Sequence, residues 1–68
     1  MYKINSKKVI ELRLKKCLTG EEASEKIGIS RATLYRIENE NTKMPNAETL
    51  RKLTKYYGVE VLDILEDL

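Results

Sequence analysis

The sequence predicts an all-α fold, a compact arrangement of five short helices, and three observations predict it. Apolar residues recur at three- and four-residue spacing in successive segments of the chain. Helix-starting residues (Asn5 or Ser6, Thr19, Ser30, Asn46) and helix-stopping glycines (Gly28, Gly58) punctuate those segments. No alternating apolar–polar run is long enough to read as a strand.

The first helix is expected over residues 6–17. Val9, Leu12 and Cys17, with Ile10 or Leu14 beside them, form its apolar stripe. The second is expected over 20–27. Thr19-Gly20-Glu21-Glu22 reads as a capping box, in which the Thr19 hydroxyl and the Glu22 carboxylate each accept from the other's amide. It ends at Gly28, where a left-handed residue costs least. The third, over 31–38, is capped by Ser30 and turns Leu34 and Ile37 inward. Residues 39–45 are polar and lack helical periodicity. Asn46 caps the fourth helix, 47–57, with Leu50, Leu53 and Tyr57 at helical spacing. The fifth, over 61–67, is expected to bury Leu62 and Leu65.

With 68 residues the chain is read as a single domain, 1–68, close to the smallest size that holds a core unaided. Hydrophobic residues make up 41% and charged ones 35%, a balance that suits a compact domain rather than a disordered tail. Histidine is absent and Cys17 is the only cysteine, so no zinc cluster or internal disulfide is expected, and a cytoplasmic location follows. Cys17 is expected to pack as a small buried hydrophobe. Met1-Tyr2-Lys3-Ile4-Asn5 has no apolar signal region, and no apolar run approaches membrane length. No nucleophile–base pair and no glycine-rich phosphate loop is present, so neither an enzyme nor a cofactor is expected.

The net charge is only +2, but it is unevenly spread. Residues 1–57 hold all 13 Lys and Arg against seven acids, a net of +6. Residues 58–68 hold four acids and no base. Such a body suits a polyanion, and the acidic end should point away from one. An ordinary solvated surface would carry the same charges.

The second and third helices are separated only by Gly28-Ile29-Ser30, a connection that sets two helices near a right angle, the helix-turn-helix geometry. Ser24 is small where the helices cross, and Ile27, Ile29, Leu34 and Ile37 lock the pair. Arg31, Ala32, Thr33, Tyr35 and Arg36 are left pointing outward or sideways.

With these residues in view, the stretch from Val9 to Leu65 resembles the Cro/repressor-type (XRE) helix-turn-helix family. The segments "VIELRLKKCLTGEEASEKIGISRATLYRIENENTKMP" and "LRKLTKYYGVEVLDIL" carry the likeness. The resemblance implies a lambda-repressor-like domain that binds double-stranded DNA and regulates transcription. It also implies an ion pair between Arg13 and Glu38, which would fix the third helix against the first. Phosphate contacts are implied at Thr19 and Gly20 and, after the third helix, at Asn39, Asn41, Thr42 and Lys43. The sequence departs from the family pattern in two places. Gly20 stands where Gln is common, which leaves only backbone contact there. Ala23-Ser24 stands where Leu-Ala is usual, and either Leu14 or Tyr35 is expected to fill the space.

A helix lying in the major groove reads bases with residues near its N-terminus. Arg31 and Arg36 can each fork onto guanine N7 and O6, or else contact phosphate. Ala32 and the Thr33 methyl can pack on a thymine methyl. Tyr35 either reaches the DNA backbone or covers the first helix.

One module of this size reads few base pairs, so a homodimer on a pseudo-palindrome is expected. Val59, Val61, Ile64 and Leu68 are more apolar surface than a monomer needs and are the expected interface, the alternative being that Val59 and Ile64 complete the core. The leading function is a small transcriptional regulator, a repressor in the first instance. Two alternatives stay open: an antitoxin or mobile-element operon controller with a protein partner, and an interaction module that has lost DNA binding.

Overall fold

The computed structural model describes residues 1–39 and 44–67. Four helices form: α1 (Ser6–Lys15), α2 (Gly20–Ile27), α3 (Arg31–Asn39) and α4 (Ala47–Tyr57). A short strand precedes them, β1 (Tyr2–Ile4), and the chain closes with a 3₁₀ turn (Val61–Ile64) running into β2 (Leu65–Asp67).

The caps form as local chemistry dictates. The Asn5 side chain accepts from the Lys8 amide at 3.1 Å and starts α1. At α2 the Glu22 amide donates to the Thr19 hydroxyl at 3.1 Å while the Thr19 amide donates to the Glu22 carboxylate at 2.9 Å. The Asn46 side chain accepts from the Thr49 amide at 2.8 Å and starts α4. Gly28 and Gly58 take φ of +90° and +67°, the left-handed conformation that ends α2 and α4.

The core gathers one or two side chains from every element but β2: Ile4, Val9, Ala23, Ile27, Leu34, Ile37, Leu53, Tyr57 and Ile64. Leu12, Leu18, Ile29, Leu50, Val59 and Leu65 close its margins.

Four expectations need correction. Among the described residues there is no fifth α-helix, and the segment expected to form it is a 3₁₀ turn followed by a strand. Leu65 adopts an extended conformation (φ −112°, ψ 154°), and from it onward the chain pairs antiparallel with β1, in the register Tyr2↔Asp67, Lys3↔Glu66, Ile4↔Leu65. The Asn5 amide continues the pairing onto the Ile64 carbonyl at 2.8 Å. Lys3 and Glu66 face each other with 3.4 Å between ammonium and carboxylate, a favourable cross-strand pair.

The change of backbone also changes which residues point inward. Ile64, expected at a dimer interface, is fully buried, whereas Leu62, expected in the core, is 67% exposed. Cys17 is exposed instead of buried, because α1 stops at Lys15 and Cys17 swings into the left-handed region at φ +56°. Its amide donates to the Leu14 carbonyl and that of Leu18 to the Arg13 carbonyl, which turns the chain out of the helix. Neither Leu14 nor Tyr35 fills the space beside Ala23, since both are exposed.

Candidate nucleic-acid interface

The helix pair α2–α3 is locked at its turn. The Gly28 and Ile29 amides both donate to the Ser24 carbonyl, at 2.9 and 3.1 Å, and the Lys52 ammonium reaches across from α4 to the Gly28 carbonyl at 3.1 Å. Ser24 is buried and turns its hydroxyl back onto the Glu21 carbonyl, so it brings no unsatisfied group to the crossing. Small size at this position lets the two helices approach.

Ser30 then starts α3. Its hydroxyl oxygen accepts from the Thr33 amide at 3.0 Å, and its proton goes to the Thr33 hydroxyl at 2.7 Å. The Thr33 proton is thereby left to donate elsewhere.

The far end of α3 is tied to α1. Arg13 lays its Nε against both Glu38 carboxylate oxygens, at 3.2 and 3.0 Å, and another guanidinium nitrogen donates to the Leu18 carbonyl at 2.9 Å. The Glu38 side chain is 6% exposed, so this is a largely desolvated charge with its counter-ion in place. The Ser6 hydroxyl adds a bond from the start of α1 to the Ile37 carbonyl.

Tyr57 of α4 lies in the same electrostatic neighbourhood. Burial first, and the Glu38 charge second, push its phenol up to about 12. Among the described residues its hydroxyl has no hydrogen-bond partner.

These ties hold one face of α3 inside and release the other. Leu34, Ile37 and Glu38 are buried; Arg31, Ala32, Tyr35, Arg36 and Asn39 are exposed, with Thr33 between. The five residues expected to read bases therefore share the outer side of one helix. Tyr35 does not cover α1: it is 62% exposed, and its carbonyl accepts from the Asn39 side chain at 3.0 Å. Arg36 has no ion-pair partner among the described residues, while Arg31 meets Glu21 at 3.6 Å.

At the start of α2 the capping box occupies the Thr19 and Glu22 amides, which leaves those of Gly20 and Glu21 without acceptors among the described residues. The Thr19 amide, donating to Glu22, holds that carboxyl below the usual range, so it stays ionised at neutral pH. Asn41, Thr42 and Lys43 lie outside the described residues.

Sequence reasoning missed Ser6 and Glu21. Ser6 was legible only as an alternative cap. Glu21 was readable as the second residue of α2, but its reach to Arg31 depends on how α2 and α3 cross. Of the expected dimer residues, Val59 is half-buried against the core, Val61 is 40% exposed, Ile64 is interior, and Leu68 lies outside the described residues.

Among the described residues no group of His, Cys, Asp and Glu could hold a metal ion, and no helix is long and apolar enough to cross a membrane.

Residues 9–64 match the family described as helix-turn-helix. The chain is also 36% identical over 62 residues to the transcriptional repressor RstR of the cryptic phage CTXphi of Vibrio cholerae, an alignment covering 91% of this chain and 55% of that protein. It thus spans about half the length of the relative it matches. A family match across four-fifths of the chain joins a locked α2–α3 turn and an outward-facing α3, and the chain belongs to the XRE-type helix-turn-helix family of DNA-binding, transcription-regulating proteins.

Proposed function

We propose that this chain represses transcription in the cytoplasm by binding a pseudo-palindromic operator as a homodimer, one α3 in each of two major-groove half-sites. The observation that carries the reading is the outer face of α3, where Arg31, Ala32, Thr33, Tyr35 and Arg36 are presented together and no acidic side chain of α3 shares the face, Glu38 being turned inward. Arg31 and Arg36 supply the forks for guanine, each good pair contributing about 1–3 kcal/mol of discrimination. Ala32 and the Thr33 methyl suit a thymine methyl, and Tyr35 the DNA backbone.

Phosphates are held by the free amides at Gly20 and Glu21, by Thr19 and Asn39, and by Asn41, Thr42 and Lys43. Arg13 and Glu38 fix the helix that does the reading. The RstR likeness supports the repressor sign of the regulation, and its phage origin supports control of a mobile-element operon.

The homodimer places half-sites about 34 Å apart, one turn of B-DNA. Its contact is assigned to the exposed Val61 and Leu62 with the margin of Val59, and not to Ile64. A contact made by so few side chains is weak in free solution and gains from DNA, which holds the two copies side by side.

Fluorescence anisotropy against the DNA upstream of the chain's own coding sequence and a scrambled duplex of equal length, over several salt concentrations, tests the reading. Roughly a thousandfold preference for one duplex is expected of a specific regulator. Arg36→Ala should lose affinity on the preferred duplex alone, and Lys43→Ala on both. If neither upstream DNA nor a sequence selected from a random pool exceeds the scrambled duplex, the regulator reading fails.

A further inference from the structure

Across the helix-turn-helix, the second residue of α2 touches the first residue of α3: the Glu21 carboxylate lies 3.6 Å from the Arg31 guanidinium. Both side chains are open to solvent, 60% and 71% exposed, where such a pair does little for stability. Its neighbours are occupied differently. Gly20 has no side chain, Glu22 is bound to the Thr19 amide, and the Ser30 and Thr33 hydroxyls are bound to each other. Glu21 is therefore the side chain of the first α2 turn that meets Arg31.

We propose that Glu21 is a positioning and specificity-determining residue for DNA recognition; the proposal rests on the reading that Arg31 contacts a base. A guanidinium carries five donors in a rigid fork, so a carboxylate on one edge leaves the other edge free for the two acceptors of guanine. Held this way, Arg31 loses rotamer freedom before DNA arrives and is turned away from the phosphates flanking the groove. The carboxylate has a second consequence. Binding to random DNA runs on phosphate contacts, and a negative charge beside the free Gly20 and Glu21 amides opposes them. On the correct sequence Arg31 stays between Glu21 and guanine, and the charge remains compensated. On a wrong sequence Arg31 can reach a phosphate only by leaving Glu21, which then faces the backbone uncompensated. Glu21 thus lowers affinity for wrong sites more than for the right one.

The test uses a duplex selected by the chain from a random pool, the same duplex with each guanine pair replaced in turn, and a scrambled duplex. Anisotropy titrations compare the parent chain with Glu21→Gln, Arg31→Ala and the double variant, after circular dichroism has shown equal melting. Glu21→Gln should bind the scrambled duplex about three- to tenfold more tightly while gaining twofold or less on the selected one. Its salt dependence on the scrambled duplex should also steepen. Arg31→Ala should lose discrimination at one guanine pair, and adding Glu21→Gln to it should change the specificity ratio no further.

Equal gains on both duplexes, with Arg31→Ala still selective in its loss, would show Glu21 to be a general charge and overturn the proposal alone. An Arg31→Ala variant that weakens all duplexes alike would overturn the base-reading role of Arg31, and Glu21's role with it.

Discussion

Replacing Arg13 by methionine removes the guanidinium that neutralises Glu38 while keeping much of its apolar stem. The Glu38 side chain is 6% exposed, and Arg13 supplies its ion-pair partner at 3.0 Å. Leaving one partner of a buried pair without its counter-ion costs about 3–5 kcal/mol. The Leu18 carbonyl also loses its Arg13 donor. Because Arg13 itself is 18% exposed, water can enter the space it leaves, so about 3 kcal/mol at the low end of that range is expected.

A domain of 68 residues has a total stability of roughly 3–10 kcal/mol, so Arg13→Met should bring the chain close to unfolding. With an unfolding entropy near 2.1 cal/mol/K per residue, the melting temperature should fall by about 20 °C. Circular dichroism at 222 nm against temperature and against urea measures this. Adding Glu38→Leu to Arg13→Met removes the orphaned charge and should recover more than half of the loss, which isolates the cost of desolvated charge from that of lost packing. A single-variant loss under about 1 kcal/mol, or a double variant no more stable than the single, would refute the argument that α3 is held by a desolvated ion pair.

Cys17 sits at φ +56° with its side chain exposed, so Cys17→Gly should relieve backbone strain and raise the melting temperature by a few degrees, about 4–8 °C for each 1 kcal/mol gained. Tyr57, with its phenol raised to about 12, remains protonated in the folded chain while the unfolded chain ionises from its ordinary value of 10.0. The stability this group contributes is therefore whole below pH 10 and lost as pH rises toward 12. Tyr57→Phe should abolish that alkaline loss and, since the hydroxyl has no partner among the described residues, change neutral-pH stability by no more than about 1 kcal/mol in urea titrations. Glu22 has the opposite sign: its lowered carboxyl stabilises the fold above the ordinary carboxylate range and stops doing so as pH falls through its depressed value, so Glu22→Gln should flatten the acid side of the melting-temperature profile. Ile64→Ala should cost about 2–5 kcal/mol of stability, whereas Leu62→Asp should leave the melt nearly unchanged and weaken cooperative DNA binding, separating core from interface in the last turn.

What the sequence disclosed and what it hid divide by the range of the interactions involved. Thr19 with Glu22, Asn46 with Thr49, and the left-handed Gly28 and Gly58 are contacts over three or four residues, and all were readable from spacing. The outward set on α3 was readable too, because Leu34 and Ile37 fix which side is buried.

The sheet was not readable. Three residues are too few to display a period of two, and Tyr2-Lys3-Ile4 becomes a strand only because Leu65-Glu66-Asp67, sixty residues on, lies beside it. In isolation Leu62 and Leu65 satisfy a helical pattern, but Val61–Ile64 forms a 3₁₀ turn instead of an α-helix and Leu65 is extended after it, and in that backbone Ile64, not Leu62, lies in the core. Cys17 was misplaced for a related reason: apolar spacing favoured continuing α1, whereas the turn toward α2 took the last two residues out of the helix. The Arg13–Glu38 contact came from family resemblance and not from spacing, since twenty-five residues separate the partners.

The sheet also bears on DNA contact through geometry. The exposed half of α3 is oriented by its buried half, and that half is tied to α1 through Ser6 and Arg13. α1 in turn begins immediately after β1, whose Ile4 is buried in the core and whose continuation at Asn5 is bonded to the Ile64 carbonyl. Pairing of β1 with β2 therefore fixes the origin of α1, α1 fixes the inner end of α3, and α3 carries the residues proposed to read bases. Each link is a short bond or a fully buried side chain, so little angular error accumulates along it. In a domain this small the same contacts that close the core also aim the recognition helix, and a substitution in the sheet can weaken DNA binding without touching the DNA.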